Sequence, residues 1–189
     1  MAERSLEHHD SVARFAVSKH NYLKAHPTET FSCIATSALV LDTRVTSEPR
    51  ILLLQRASSE EDDPNKWEPP GGACEDNDES ILHSAARELW EEAGLRAAHI
   101  GGPVGKPYFF YLDDGREVCR FYFAVDVETD GRAPPTVKLN PEEHQSFVWA
   151  TEDEVEARKV GNTDLEFTEE TVARTVLLAF QHFRESQIG

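Results

Sequence analysis

Apolar residues recur along this chain in two rhythms. Residues 31–41 (FSCIATSALVL) and 51–56 (ILLLQR) are near-continuous apolar runs rich in β-formers, and they predict buried strands separated by a loop around Pro49. Residues 108–112 and 117–127 form a second, aromatic-rich pair. Asp113, Asp114 and Gly115 between them give a hairpin turn signal. Residues 147–149 (FVW) read as a short strand. The other rhythm is helical: Leu82, Ala85, Ala86, Leu89 and Ala93 share one stripe over residues 80–93, and Gly94 ends it. Residues 152–158 predict a short helix and 168–183 a longer one closing the chain. Residues 1–28 read as an N-terminal extension with one or two helical turns, stopped at His26-Pro27. Residues 29–189 read as one domain. Strands clustered around a central helix predict an α/β or α+β sandwich.

Composition narrows the address and the partners. No apolar run approaches the roughly 20 residues that span a bilayer, and residues 1–10 lack the apolar core of a signal segment, so no membrane partner and a cytoplasmic location are expected. Net charge is −16, from 35 acidic and 19 basic residues, a field that repels nucleic acid at long range. A small anionic substrate would need local arginines, lysines or bound cations. Cys33, Cys74 and Cys119 have no metal-type spacing and read as core or incidental thiols.

The acidic excess has one concentration with chemical meaning. Glu88, Glu91 and Glu92 stand at i, i+3 and i+4 on the helix of residues 80–93, which at about 100° per residue puts three carboxylates on one stripe. That stripe borders the apolar one. Like charges so close repel unless a cation neutralises them, and clustered oxygen ligands suit Mg²⁺ or Mn²⁺. The alternative is a solvated acidic face, which is what most acidic runs are.

The surroundings of the stripe decide between the two. Gly71-Gly72, then Glu79, then Arg87-Glu88-Leu89-Trp90-Glu91-Glu92-Ala93-Gly94-Leu95 closely resemble the box of the Nudix family, G-x5-E-x7-R-E-U-x-E-E-x-G-U, where U is apolar. Seven residues separate Glu79 from Arg87 as the pattern requires, but six, not five, separate Gly72 from Glu79. The NKWEPPGG run before the helix, Arg56 at a strand end and the run from Pro141 through Val155 are also similar to the family. The resemblance implies an α/β/α sandwich with a mixed sheet between the catalytic helix and a C-terminal helix.

It also implies a reaction and a set of roles. The chain would cleave a pyrophosphate bond in a nucleoside diphosphate linked to another group, by water attack on phosphorus and with Mg²⁺ or Mn²⁺ bound. Glu88, Glu91 and Glu92 would be metal ligands, with the Gly72 carbonyl completing the shell. Arg87 would brace Glu91. Glu79 is either an occasional ligand or an acid complementing the helix N-terminus. The late loop would supply the general base, Glu143 first and Glu142 second, approaching the metals only when substrate draws the loop inward; a glutamate of the box could serve instead. Arg56 would contact phosphate. Glu68 and Trp67 adjoin the expected pocket, with Trp67 equally plausible as core. A small nucleotide-type substrate is implied, and a homodimer is left open. Two other classes share the fold: a ligand sensor, which would usually have lost box carboxylates, and a diphosphate isomerase, which would need a catalytic cysteine such as Cys74.

Overall fold

The computed structural model describes residues 6–44, 48–128 and 134–187. Residues 45–47 of the loop expected before Pro49 lie outside them. The elements run in the order β1 (Glu7–His8), a 3-10 turn (Asp10–Phe15), α1 (Lys19–Ala25), β2 (Cys33–Leu39), β3 (Leu41–Asp42), β4 (Arg50–Arg56) and β5 (Trp67–Glu68). There follow α2 (Ile81–Ala93), β6 (Ala97–Pro103), β7 (Tyr108–Tyr111), β8 (Glu117–Val127), β9 (His144–Thr151), α3 (Glu152–Glu156), β10 (Lys159–Val160), β11 (Thr163–Asp164) and α4 (Glu170–Ser186).

Two principal sheets form, where the sequence predicts one mixed sheet. The first has the order β1-β6-β8-β2 with β7 also on β8. Strand β8 is long enough to pair β7 with its first half and β6 with its second, while β2 runs parallel along its other edge. The second sheet is antiparallel, β3-β4-β5 with β9 on β4. The division has a local cause. The edge of β2 that could have joined β4 is occupied by the Gly-rich segment before α2: Ala38 N–H donates to the Pro70 carbonyl, Thr36 N–H to Gly72, and Cys74 N–H to Ile34. Backbone amides must be paired somewhere, and here a loop rather than a strand pairs them.

Strand alternation then builds two apolar layers. Leu52, Leu54, Phe121 and Phe123 point to the α2 side, where they meet Ile81, Leu82, Ala85, Leu89 and Ala93. Ile51, Leu53 and Tyr122 point to the α4 side and meet Val172, Ala173, Val176 and Phe180. This is the predicted α/β/α sandwich, with sheet between the two helices. Trp67 belongs to the α4-side core, fully buried with its indole N–H on the Asp164 carbonyl at 3.1 Å. No described helix is long and apolar enough to cross a membrane.

The N-terminal segment packs into the α2-side core. Glu7–His8 adds a parallel strand to β6, and Val12 and Phe15 are fully buried. His9 caps the 3-10 turn by accepting Ser11 N–H.

Candidate metal and phosphate site

Helix α2 begins at a Ser80 cap, whose hydroxyl accepts His83 N–H, and ends at Gly94 in the left-handed conformation, φ 65°. Between these ends the glutamates separate by environment. Glu88 and Glu92 are buried, at 9% and 5% exposure, whereas the Glu91 side chain is half exposed. Two glycines make room for them. A Cβ on Gly71 would lie 2.2 Å from the Thr36 carbonyl oxygen, and one on Gly72 would lie 2.7 Å from a Glu88 carboxylate oxygen. The Gly71 N–H donates to Glu92 at 2.9 Å. The Gly72 carbonyl, expected among the metal ligands, accepts Thr36 N–H; its second lone pair leaves that role available.

Arg87 is the clamp of this region. It donates to both Asp78 carboxylate oxygens at 2.9 and 3.1 Å, to the Ala73 carbonyl at 2.9 Å and to Glu91 at 2.9 Å, and it lies 2.9 Å from Glu88. It therefore reaches Glu91 and also ties the loop before α2 to the helix. The loop's partner is Asp78, whose side chain is nearly buried. Glu79 is turned out to solvent with its side chain 82% exposed, 3.5 Å from His83. The extra residue before Glu79 brings the preceding acid to Arg87. Burial alone would raise the Asp78 carboxyl, but the Arg87 bonds outweigh it and hold the group below its ordinary value.

The late loop leads into β9 and is already docked. Lys138 N–H donates to Ala93, Asn140 N–H to Glu92, and Ala57 N–H to the Glu143 carbonyl. Glu143 needs no inward movement to reach the centre: donor atoms of Glu92, Glu143 and His144 lie within 4.8 Å of one another. The sequence-based expectation of a loop drawn in by substrate is thus replaced by one fixed through backbone bonds. Glu142, the second choice for the base, is exposed outside that cluster.

Strand pairing on β4 gathers the remaining groups. Leu54 pairs with Glu68 on β5, and Arg56 with His144 on β9. Arg56 bonds Glu68 and Glu60, both at 2.8 Å. Burial acts to raise the Glu68 carboxyl, but His144, Arg120 and Arg56 together hold it below the usual range. Glu92 goes the other way. Burial pushes it well above the usual carboxylate range against its Gly71 hydrogen bond, and the charges of Glu68, Glu88 and Glu143 add to the rise. Glu88 is also raised by burial, against the opposing pull of Arg87. Buried carboxylates that repel one another, together with an imidazole that has no hydrogen-bond partner among the described residues, are a donor set that a divalent cation completes. The residues present fit such an ion.

Beside this centre opens a cleft of about 550 Å³, within the usual size for a small-molecule site. Arg56 and Glu68 border it on one side, Tyr108, Phe110 and Arg120 on another, with Glu169 and Val172 of the α4 region closing it. Arg120 escaped the sequence reading. A charged residue at the middle of EVCRFYFAV was the available signal, and the structure sets its guanidinium over the Phe110 ring at 5.2 Å. His144 escaped too, hidden beside the glutamates that drew attention. Phe121, Tyr122 and Phe123 are core, while Phe109 and Tyr111 are exposed. The three cysteines are free; burial pushes the Cys74 thiol up to about 11 and Cys119 up to about 12.

Comparison with known proteins gives the same picture. Residues 33–171 match the model of the NUDIX domain. A human protein named m7GpppN-mRNA hydrolase NUDT17 is 29% identical over 117 residues, covering 57% of this chain and 35% of its own length. The zebrafish (Danio rerio) protein of that name is 30% identical over 118 residues, covering 57% and 39%. The chain thus spans little more than a third of these curated relatives. Among solved structures, a MutT protein from Methanosarcina mazei Go1 superposes with a TM-score of 0.54 at 25% identity, covering 82% of this chain and 94% of that one. The NUDIX domain of Shewanella oneidensis NrtR, complexed with ADP ribose, superposes at 0.61 and 14% identity, covering 88% and 99%. A C. elegans Ap4A hydrolase superposes at 0.52 and 19%, covering 80% and 98%; these last two likenesses are of fold. With the family model covering most of its length and Glu88 and Glu92 of the box helix buried against the glycine-rich loop, the chain belongs to the Nudix family.

Proposed function

We propose that the chain is a pyrophosphohydrolase that requires Mg²⁺ or Mn²⁺ and cleaves a nucleoside diphosphate linked to another group. The observation that carries this reading is convergence: Glu92 from α2 meets Glu143 and His144 of the late segment, with Glu88 near enough for its charge to act on Glu92, beside a cleft bordered by Arg56 and Arg120. Glu88 and Glu92 would hold the cation, with Glu91 and the Gly72 carbonyl at its margin. When bound, the cation neutralises the diphosphate, polarises phosphorus and makes water a stronger nucleophile.

The chain's own groups do the rest. Arg56 and Arg120 hold phosphate oxygens, offsetting a protein that is otherwise repulsive to anions. Tyr108 and Phe110, stacked at 5.7 Å, offer an aromatic wall to a planar base. Glu143 takes the proton of the attacking water as the oxygen–phosphorus bond forms and the bridging oxygen leaves with the other phosphate. Arg87 keeps Glu88 and Glu91 in place through Asp78 and Ala73. Compounds named with the relatives, m7GpppN, Ap4A and ADP ribose, contain phosphoric anhydrides of this kind. A sensor role is disfavoured by the intact glutamates, and isomerase chemistry by the raised, buried Cys74 thiol.

A panel of nucleotide sugars, dinucleoside polyphosphates and modified nucleoside triphosphates, assayed with Mg²⁺ and with excess chelator, tests the proposal. At least one should release a nucleoside monophosphate or diphosphate only with metal, and Glu92→Gln should abolish that release in a folded protein. Full activity in chelator overturns the metal assignment. Glu143→Gln should lower kcat by about 10²–10⁴, and wild-type turnover in that variant would move the base to the box helix.

A further inference from the structure

Among the described residues, His144 is a buried polar group with both ring nitrogens unpaired. Its side chain is 2% exposed, and neither ring nitrogen has a hydrogen-bond partner. The nearest carboxylate oxygen, on Glu68, is 3.8 Å away, too far for a hydrogen bond. Leaving a buried polar group unsatisfied costs stability, so an imidazole needed only for packing would be a poor occupant. The ring nevertheless presents a nitrogen within 4.8 Å of carboxylate oxygens on both Glu92 and Glu143. His144 is also the first residue of β9, paired with Arg56 across a register shift in β4, so its backbone is fixed where the two strands meet.

The geometry points to His144 as a nitrogen ligand of the divalent cation, bound jointly with Glu92 and with Glu143 within reach of the same ion. This rests on the proposed metal dependence and adds a donor that the box does not contain. It gives a buried imidazole a partner, and it places Glu68, whose carboxylate oxygen lies 3.8 Å from the ring Nε2, beside the metal-bound ring. Carboxylates next to a metal-bound imidazole help fix its orientation. The consequence is a change in metal preference. Imidazole nitrogen suits Mn²⁺ and later transition metals better than Mg²⁺, which prefers oxygen.

Pulsed electron paramagnetic resonance of Mn²⁺ added to the full chain tests this without reference to activity. Wild type should show nitrogen coupling from one imidazole, altered in protein labelled with ¹⁵N-histidine and absent in His144→Gln. Mn²⁺ affinity should fall at least about 10-fold in that variant, the effect of losing even an outer partner of a metal ligand, with Mg²⁺ affinity falling less. If His144→Gln does not fold, the labelled wild type still decides. Mn²⁺ bound with no histidine coupling overturns the proposal while leaving the metal-dependent hydrolase intact. Nitrogen coupling that survives in a folded His144→Gln variant overturns it as well. No Mn²⁺ binding by wild type removes both this proposal and the metal-dependent reading, and Mg²⁺-independent turnover would then confirm that the latter had failed.

Discussion

Asp78 and Glu79 are adjacent acids with opposite fates, and they show how much a single inserted residue can reassign. Spacing to Arg87 singles out Glu79, yet the loop carries Asp78 into the guanidinium fork and turns Glu79 to solvent. Asp78→Ala should therefore cost about 1.5–3 kcal/mol, the range for hydrogen bonds to charged groups, or roughly 3–12 °C of melting temperature for a chain this size. It should also lower kcat, because the loop that positions Ala73 and Gly72 against α2 loses its tie. Glu79→Ala should stay within about 0.5 kcal/mol of wild type. The pH dependence has a definite sign. Folding holds the Asp78 carboxyl below its unfolded value of about 3.9, so its contribution is complete above that pH and is lost as pH falls through the lower folded value. Thermal melts of both variants at pH 7 and near pH 3 check this: the gap between wild type and Asp78→Ala should close in acid. Equal melting of Asp78→Ala and wild type at pH 7 would return the bracing role to another residue.

At the scale of elements, periodicity reads well where local preference and tertiary context agree. Helix α2 lies where the apolar stripe, the Ser80 cap and Gly94 put it, and β2, β4, β7 and β8 follow their apolar runs. Strand β6 could not be read: AAHIGGP has two glycines and a proline, poor strand formers, and it is extended because the second half of β8 supplies its ladder. Strands β1, β5, β10 and β11 are two residues each, too short for any pattern. The site divides in the same way. Glu88 and Glu92 were legible because one helix carries them, whereas Asp78, Arg120 and His144 act through pairings between distant segments. The Pro70–Cys74 loop is where sequence pattern and packing meet, and it supports a paired test. In Gly71→Ala the new Cβ would strike backbone, 2.2 Å from the Thr36 oxygen, so the loop must peel from β2. Overpacking of that kind costs about 1–3 kcal/mol or more, and both melting temperature and activity should fall. In Gly72→Ala the obstacle is the Glu88 carboxylate, a side chain that can swing away. Melting should change little while turnover is lost. If Gly72→Ala keeps full activity, Glu88 is not held in working position by that contact.

For the molecule as a whole, the question is what completes the fold beyond the family's shared part, since the domain match begins at residue 33. His26-Pro27 made a natural stop signal, and the sequence before it reads as an extension. Its packing makes it a structural component of the α2-side layer. The Phe15 ring lies 4.8 Å from Phe121 and 5.1 Å from Phe123, and Tyr22 stacks on it at 5.7 Å. His9 N–H donates to Ile100, extending the edge of β6. Two contacts reach α2 and its loop directly: Ile81 N–H, at the first turn of α2, donates to the Val17 carbonyl, and Lys19 bonds the Cys74 carbonyl and pairs with Asp76. Removing the segment would uncover Phe121 and Ile100, free an amide at the start of α2 and release the box loop at once. Phe15→Ala alone should cost about 3–5 kcal/mol, roughly 6–20 °C of melting temperature, with activity per folded molecule nearly retained because the rings it packs against, Tyr22, Phe121 and Phe123, belong to the core. A chain lacking residues 1–28 should lose more than this and, if it folds at all, should turn over slowly, since Val17 and Lys19 no longer anchor α2 and its loop. Thermal melts paired with activity per folded molecule separate the two effects. A truncated chain that melts within a few degrees of the full one and keeps its kcat would show the N-terminal segment to be a dispensable cover.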